Sequence, residues 1–372
     1  MAGYLYIDLV TDAEEITQVR SIRSVVKRLA NQSQAHIAAL AEWPFLWTES
    51  FFQTIAEYAT GTLALTNGSA TITGTDTVFT SAMVGRKLRV SGDTASYTIK
   101  TFTSTTSITL DQTYGGTTAS GVSYSIYKDQ YLLRADVDTQ KRLRQAENGV
   151  ALFSLSAGEF DERYPSPTGT GTPSLDVFSG KAVKTYATGT VSISSSSRTL
   201  TGSSTAWTGV EGLGRGTKLK IGTLIFTVNT VDSDTQITVY EIATSTVTSS
   251  AYTAILDNYV VQLHAIPIIV QTYYYRFQRI PAVLDADNDI PELPSPMHPL
   301  ILLDMLPFLW RHKGFIDRAI EAQNAFDKEL ERWMAKYQQP VLDRSYPLHP
   351  QSMYQMPDRA RLSGNIGVPF LR

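Results

Sequence analysis

Apolar side chains recur at helical spacing near the start of the chain. The series is Ile16, Val19, Val26, Leu29, Ile37 and Leu40. Thr11 and Glu14 have the spacing of a capping box, so the pattern predicts helix from Thr11 to about Tyr58. Pro44 interrupts it within a cluster that carries too much apolar surface to be left in water. The aromatic members of that cluster are Trp43, Phe45 and Trp47.

A second helical pattern lies in the last third of the chain. Ser295 and Pro296 suit an N-cap and a first helical position, and they predict a helix to about His312 with a kink at Pro307. Gly314 separates it from a strongly amphipathic helix. The apolar face of this second helix comprises Phe315, Ile316, Ala319, Ile320, Phe326, Leu330, Trp333 and Tyr337.

Between these helices, two stretches alternate apolar and polar residues in short runs rich in Thr, Ser and Gly. They occupy residues 61–128 and residues 189–257. The runs RKLRV, YTI and SITL of the first stretch have the counterparts TKLKI, FTV and QITV in the second. This alternation, with turn residues between the runs, predicts two small all-β modules of the same fold.

The repeat is clearest in the stretches ITGTDTVFT and LTGSSTAWT. Gly74 and Gly202 are in register with Phe79 and Trp207, at a constant offset of 128 (202 − 74 and 207 − 79). We interpret the aromatic residues as the large core side chain of each module, and the glycines as turns where the chain doubles back. A ligand-stacking role for the aromatic residues is the alternative.

The remaining segments predict a helical core with a few strands. YLL, YVVQLHA and TYYYRF have strand character, whereas residues 141–148 and 157–163 have the pattern of short helices. The predicted fold is an α+β multidomain protein in which two homologous β modules interrupt a helical core. Its predicted parts are residues 1–60, 61–128, 129–188, 189–257, 258–339 and 340–372.

The last of these parts, residues 340–372, is aperiodic and interrupted by prolines, but it contains spaced apolar residues. Such a segment cannot form a core of its own. We therefore expect an extended arm that docks on a partner. The expected anchors are Tyr354, Met356, Ile366 and Phe370.

Composition is that of a folded protein with no broad affinity for nucleic acid. The 372 residues are 42% hydrophobic, and the net charge of −3 offers no basic face that would displace counterions from DNA. The absence of cysteine excludes disulfides, thiolate metal sites and a cysteine nucleophile. Neither a leader-like start nor a long apolar window is present, so we expect a protein made in the cytoplasm that does not cross a membrane.

No motif predicts catalysis, a metal or a cofactor. The five histidines lack metal-ligand spacing, and the nucleophile-elbow and phosphate-loop signatures are absent. The GLGRG stretch of residues 212–216 aligns with MVGRK of the first module and is expected to form a hairpin or loop. Glu159 and Asp161 are an acidic pair of the kind that glycosidases use, but sequence does not give the separation of their carboxylates. We expect no enzyme.

An acidic segment has part of the pattern of a calcium-binding loop. Asp285, Asp287 and Asp289 occupy the spacing of its first three ligands. Ile290 replaces the glycine of the sharp turn, and Pro296 replaces the final glutamate. We therefore expect a solvated or intersubunit acidic loop.

Three stretches resemble head-to-tail connector proteins of tailed bacteriophages, also called adaptor or head-completion proteins. They are EWPFLW, the pair YLLRADV and EFDERYPSPTGTGTP, and YYYRFQRIPAVLDADNDIPELPSPMHPLI leading into the final helix. The resemblance covers the non-repetitive part of the chain. The Thr-rich modules are similar to small β domains of phage structural proteins, and they depart from the compact, mostly helical members of the family.

The resemblance implies a structural virion protein at the head-tail junction. It implies a homo-oligomeric ring, a dodecamer, that binds the portal and the tail or nozzle proteins and extends the channel for double-stranded DNA, without reading its sequence. A slightly acidic protein suits a channel that lets DNA slide. A ring also needs two different contact faces on each subunit. The candidate interface residues are Trp43, Phe45, Trp47 and Trp333.

Two other functions fit parts of the sequence. A tail component that binds a receptor or glycan would use exposed aromatic side chains of the β modules, with Tyr114, Tyr124 and Tyr127 as candidates. A muralytic enzyme of the virion would use the carboxylates near Glu159.

Overall fold

Strands are the most abundant regular structure of the molecule. The computed structural model describes residues 4–18, 23–164 and 168–337. Strands account for 38% and helices for 26% of the structure, so the predicted helical core is wrong. The described helices are α1 (Tyr6–Thr17), α2 (Arg23–Leu40), α3 (Ala157–Arg163), α4 (His298–His312) and α5 (Ile316–Tyr337).

The strands belong to the two modules and to a central part that joins them. Strand β1 (Trp47–Gln53) precedes the first module. The first module contains β2 (Thr62–Leu65), β3 (Thr71–Thr75), β4 (Lys87–Val90), β5 (Ser96–Ser104), β6 (Ser107–Leu110), β7 (Ala119–Val122) and β8 (Tyr124–Tyr127). Between the modules lie β9 (Gln130–Leu132), β10 (Val137–Gln145), β11 (Phe153–Leu155), β12 (Thr170–Gly171) and β13 (Leu175–Tyr186). The second module contains β14 (Thr190–Ile193), β15 (Thr199–Ser203), β16 (Lys218–Ile221), β17 (Leu224–Ser233), β18 (Gln236–Val239), β19 (Val247–Ser250) and β20 (Thr253–His264). The final strands are β21 (Ile266–Pro267) and β22 (Thr272–Arg279).

Helices α1, α2, α4 and α5 pack together as a helical unit, although they come from distant parts of the sequence. Their shared core includes Leu9, Ile37, Met305 and Phe326, each at most 2% exposed. The α4–α5 pair is separated by Gly314, whose φ of +81° lies in the left-handed region that favours glycine. The two C-terminal helices are confirmed, but α4 begins at His298, because Ser295–Met297 form a 3-10 turn and Ser295 does not cap the helix. Both helices belong to one unit rather than to a core of the whole chain.

The N-terminal helical prediction is wrong at both ends. Helix α1 begins at Tyr6 instead of Thr11, because the carboxylate of Asp8 caps the chain by accepting from the amide of Leu5 at 2.9 Å. Beyond α2 the chain becomes strand β1, which pairs antiparallel with β22 from Trp47 opposite Gln278 onwards. That pairing supplies hydrogen-bond partners for the backbone of WTESFFQ.

A central cluster of aromatic and aliphatic residues lies between two groups of strands. One group is the sheet β1-β22-β10, and the other contains β9 and β13 on either side of β20. The cluster includes Tyr131, Leu143, Val261, Tyr273 and Phe277. The helix expected at residues 141–148 is therefore wrong, because this segment belongs to β10, whereas the helix expected at residues 157–163 is confirmed as α3.

The two modules have the same strand order. The first is a seven-stranded sheet in the order β7-β2-β3-β6-β5-β4-β8, and the second follows the order β19-β14-β15-β18-β17-β16-β20. The first hairpin also has the same register, with Thr62 opposite Thr75 in one module and Thr190 opposite Ser203 in the other. The repeat in the sequence is thus a repeat in the fold.

Each module is closed by three aromatic residues at equivalent positions. In the second module Trp207 is 1% exposed, contacts Tyr252 and donates its indole N–H to the Tyr252 hydroxyl at 2.8 Å. Tyr186 contacts Tyr252, and its hydroxyl accepts from the amide of Ala206 at 3.1 Å. The corresponding residues of the first module, each 128 positions earlier, are Tyr58, Phe79 and Tyr124. The aromatic repeat therefore builds the core.

Gly74 and Gly202 are not turns, contrary to the sequence prediction. They lie inside β3 and β15, and a Cβ atom at either position would come within 2.3 Å of the hydroxyl oxygen of Thr77 or Thr205. The glycines are needed because a threonine side chain occupies the space beside the strand.

The second module is joined to the central part more extensively than the first. Strands β13 and β20 each contain 12 residues and pair from the module into the central part, so the predicted boundary at residue 257 falls inside β20. The first module keeps its own seven-stranded sheet. In the described parts of the chain, every helix is too short or too polar to cross a bilayer.

We expect Trp207→Ala to destabilise the second module by about 3–5 kcal/mol, because it removes a buried aromatic side chain and leaves a cavity. Denaturant unfolding followed by hydrogen exchange of both modules measures the effect. Trp207→Phe is the matched control: it keeps an aromatic ring, loses the bond to Tyr252, and should cost less. Equal loss of protection in the first module would contradict independent aromatic cores.

Candidate functional site

The acidic pair near Glu159 has a structural role in the fold. Ser156 caps α3, and its hydroxyl donates to the Glu159 carboxylate at 2.8 Å. The hydroxyl and amide of Ser156 together hold the pKa of Glu159 below its ordinary value. A glycosidase acid needs a raised pKa, so this carboxylate has the opposite electrostatic setting.

The tyrosines proposed for glycan stacking are buried. Tyr114, Tyr124 and Tyr127 are each at most 5% exposed. The ring of Tyr114 packs against Tyr97, and the Tyr124 hydroxyl donates to the carbonyl oxygen of Thr60 at 2.6 Å. They are core residues, because an aromatic face that packs inside the module cannot stack on a ligand.

The acidic segment that resembles a calcium loop connects three parts of the same chain. A carboxylate oxygen of Asp285 accepts from the amide of Ile242 at 2.8 Å. Asp287 pairs with Lys27 at 2.7 Å. Asp289 makes two hydrogen bonds of 2.8 and 2.9 Å with one guanidinium nitrogen of Arg198. The expected solvated or intersubunit loop is thus an intrachain tether between the helical unit and the second module.

No metal-binding group is found within residues 4–18, 23–164 and 168–337. In these ranges, no three His, Asp or Glu side chains converge in the way a metal site requires. The three aspartates of the tether illustrate the reason, since each binds a different protein group.

A second ionic contact, the Arg215 junction, lies beside this tether. The guanidinium of Arg215 pairs with Asp136 at 3.4 Å and with Glu292. Asp136 is 2% exposed and also receives two hydrogen bonds from Arg134, at 2.8 and 2.9 Å. Arg279 approaches the other oxygen of Glu292 at 3.4 Å. GLGRG therefore is a loop, as expected, and its arginine joins the second module to the central part.

A small cavity borders the Arg215 junction. Its volume is about 160 Å³, and its walls come from the second module and from residues 280–283. Tyr240 lines it, and burial raises the pKa of Tyr240 to about 12. The phenol is therefore neutral at physiological pH, and the ionic chemistry of the cavity belongs to the arginine and carboxylates.

The aromatic residues proposed as subunit contacts lie in or beside the helical core. Trp43 is completely buried and donates its indole N–H to the carbonyl oxygen of Ile37 at 2.7 Å. Trp333 is 6% exposed in the same cluster, whereas Phe45 and Trp47 are partly exposed. The two buried tryptophans pack within the subunit, and a contact role stays a prediction for the other two. The proposed portal anchors Tyr354, Met356, Ile366 and Phe370 lie outside the described residues.

Other apolar residues are exposed and were not identified from the sequence as contacts. One group, the helical patch, surrounds the α4–α5 turn, and each member is more than half exposed. It consists of Phe308, Phe315, Ile316 and Ile320. A groove of about 220 Å³ beside Phe308 is lined by Val25 and Leu29 of α2. This much apolar surface at one turn is typical of a contact site.

A second group, the strand-end patch, precedes β22. Its members Ile268, Ile269 and Val270 are 41%, 51% and 57% exposed. The hydroxyl of Thr54 donates to the carbonyl oxygen of Ile269 at 2.9 Å, which holds this edge against the chain leading to the first module. Three consecutive exposed β-branched residues therefore present apolar surface to solvent in the described part of the chain.

Strand β22 extends from near the strand-end patch to the C-terminal end of α2. Its eight residues span about 25 Å at roughly 3.3 Å per residue, and the strand-end patch adjoins its first residue. At the far end, the side-chain amide of Gln278 donates to the carbonyl oxygens of Ala38 and Ala41, at 2.7 and 2.9 Å. These bonds fix the strand to the end of α2. The molecule thus exposes two apolar patches of different composition in different places.

The substitution Arg215→Met should destabilise the protein by about 3–5 kcal/mol, because it leaves the buried carboxylate of Asp136 with one fewer cation. Chemical denaturation measures this loss. Arg332→Met is the control, since the Arg332 side chain is 73% exposed and its salt bridge within the described residues is to Glu329 on its own helix, so its effect should be about 0–1 kcal/mol. Similar effects of the two substitutions would show that the Arg215 junction contributes little.

Acid should weaken the contact between Arg198 and Asp289. Burial opposes ionisation of Asp289, but Arg198 and two backbone amides hold the pKa of its carboxyl below its ordinary value. The contribution is therefore complete above the unfolded pKa of about 3.9 and is lost as the pH falls through the lower folded pKa. Urea unfolding should show Asp289→Asn less stable than wild type at pH 6, and this difference in unfolding free energy should be smaller at pH 2. Asp287→Asn, whose carboxylate is 59% exposed, is the control and should have a smaller effect.

Comparison with known proteins adds no identification to this geometry. No family model matches the chain, and no curated protein matches it.

Proposed function

We propose that the protein is a structural component of a tailed-bacteriophage virion that forms a ring between the portal and the tail. In this proposal the ring extends the DNA channel, and residues 340–372 contact the portal. The observation that carries the assembly role is the presence of two separate, chemically different apolar patches on one subunit. The connection to phage particles rests on the resemblance of the non-repetitive stretches described above.

Two different patches are what a closed ring requires. In a ring, each subunit contacts its neighbours through two unlike surfaces, whereas a twofold dimer uses one surface that complements itself. The helical patch combines two phenylalanines with two isoleucines, whereas the strand-end patch is a short row of branched aliphatic side chains without an aromatic ring. Insertion of the strand-end patch into the groove beside Phe308 would bury apolar surface from both.

The polar surroundings of the helical patch also suit a protein contact. The guanidinium of Arg318 lies 4.9 Å from the ring centre of Trp310 and 5.5 Å from that of Phe315. Arginine and aromatic side chains are enriched in protein interfaces, where they form the contacts that dominate binding energy. The patch therefore has an apolar centre with a cation at its edge.

A ring also needs subunits that keep their two contact surfaces in a fixed relation. The tether through Asp289 and the Arg215 junction bind the second module to the helical unit and the central part. Strand β22 continues this frame from the strand-end patch to α2. Such a frame lets successive subunits repeat the same angle, which ring closure demands.

We expect Ile316→Asp and Ile269→Asp each to block assembly without unfolding the subunit, because each places a charge in one of the two patches. Sedimentation velocity and negative-stain microscopy, with and without the portal of the same phage, measure the assemblies. Ile225→Asp is the matched control: Ile225 is 58% exposed on the second module and lies outside both patches, so rings should form as in wild type.

Mixing the two defective variants gives a sharper test. A subunit with an intact helical patch can still bind one with an intact strand-end patch, so the mixture should yield dimers and no rings. Rings that persist in both single variants, or a control as defective as they are, would refute this assembly through the two patches. Wild-type chain that stays monomeric with and without portal would refute the proposed function.

A further inference from the structure

A basic cavity lies where the two modules approach each other. It has a volume of about 330 Å³, and its charged side chains come from four segments. The first module contributes residues 84–87, and residues 128–130 link that module to the central part. Lys184 enters from β13, and Glu211 enters from the second module. The cavity is therefore built by parts of the chain that are far apart in sequence.

The cavity has more positive than negative side chains. Its cations are Arg86, Lys87, Lys128 and Lys184, and its anions are Asp129 and Glu211. Four positive charges and two negative charges leave an excess of two positive charges. The whole chain has a net charge of −3, so this local excess is opposite in sign to the protein as a whole.

The two carboxylates already have partners. Lys87 pairs with Asp129 at 2.7 Å, and Lys128 pairs with Glu211. The other oxygen of Glu211 accepts from the amide of Leu132 at 2.9 Å. The acidic side chains of the cavity are therefore held in place and do not neutralise the other two cations.

Of the four cations that line the cavity, Arg86 and Lys184 have no acidic partner among the described residues. The only hydrogen bond of the Arg86 guanidinium there runs from Nε to the carbonyl oxygen of Ala82, at 3.1 Å. Lys184 is exposed on β13 and makes no hydrogen bond to a described residue. Donors that face a concave, partly enclosed space without an acceptor are available to a ligand.

The positive charges that line the cavity repel one another. Burial lowers the pKa of Lys128, Glu211 opposes this, and the charges of Lys184 and Arg86 lower it further. Burial also lowers the pKa of Arg86. A bound anion would relieve this repulsion, because an opposite charge nearby favours the charged form of each cation.

We propose that this cavity binds a phosphate dianion through Arg86 and Lys184. A phosphate group has between about 1.5 and 2 negative charges at neutral pH and three strong acceptor oxygens. Its charge matches the excess of two, and the planar guanidinium of Arg86 suits two of its oxygens. The bound phosphate bridges the first module and β13, and so fixes the less extensively joined module to the frame of the subunit.

Isothermal titration calorimetry with inorganic phosphate tests the site on the full-length chain at pH 7.5 and constant ionic strength. We expect one saturable site per chain, and a melting temperature that rises with phosphate because the ligand binds the folded state. Arg86→Gln and Lys184→Gln should each weaken binding at least tenfold. Lys220→Gln, an exposed lysine on β16 outside the cavity, should leave it unchanged.

The variants also separate loss of binding from loss of fold. Lys184 is exposed, so Lys184→Gln should melt at the wild-type temperature without phosphate, even if Arg86→Gln does not. Absence of saturable binding to wild type, or equal affinity in wild type and Lys184→Gln, would overturn the proposal. Binding of a short DNA duplex that depends on these residues, without binding of inorganic phosphate, would also overturn it and assign the cations to the DNA backbone. None of these results bears on the proposed ring assembly, which depends on other residues.

Discussion

The partly buried guanidinium of Arg215 makes the contacts on which the arrangement of the chain depends. It comes from a loop of the second module and meets Asp136 of the central part and Glu292 of the segment before α4. A carboxylate that is 2% exposed is stable only with its cations in place, so the geometry tolerates little displacement. Charge pairing, in addition to apolar packing, therefore positions the second module.

The two modules share a fold but have different relations to the rest of the chain. The same aromatic triad closes each one, around Phe79 in the first and Trp207 in the second. The long strands β13 and β20 continue the second module into the central part, so it forms part of the frame. The first module keeps a separate sheet and meets the frame beside the basic cavity. Duplication thus produced two modules that are alike inside and different in attachment.

The distribution of paired carboxylates and exposed apolar side chains is consistent with the proposed assembly role. Candidate chemical groups such as Glu159 and Asp289 are engaged in caps and tethers within the chain. Ile316 and Ile269, by contrast, are more than half exposed among the described residues. A frame that joins these two patches explains why a subunit needs an ionic junction and a long central strand in addition to two compact modules.

Local sequence pattern determined the parts of the fold that depend on near neighbours. The 128-residue repeat showed the two β modules and their aromatic cores, because alternation and turn residues act within a few positions. Helix α3 was predicted from the local pattern of residues 157–163, and the structure adds the capping box of Ser156 and Glu159. The break at Gly314 followed from a similarly local rule.

Only the tertiary structure decided features that depend on distant partners. The segments that form β1 and β10 have residues compatible with helix, and pairing on either side of β22 makes them strands. Asp289 meets Arg198 across 91 residues, and Asp287 meets Lys27 across 260, so the sequence could not distinguish a tether from a solvated loop. Burial likewise depends on the whole fold: Trp43 lies in the core and Ile316 is exposed, although both are apolar residues within predicted helices. The proposed contact surfaces could therefore be located only from the packed structure.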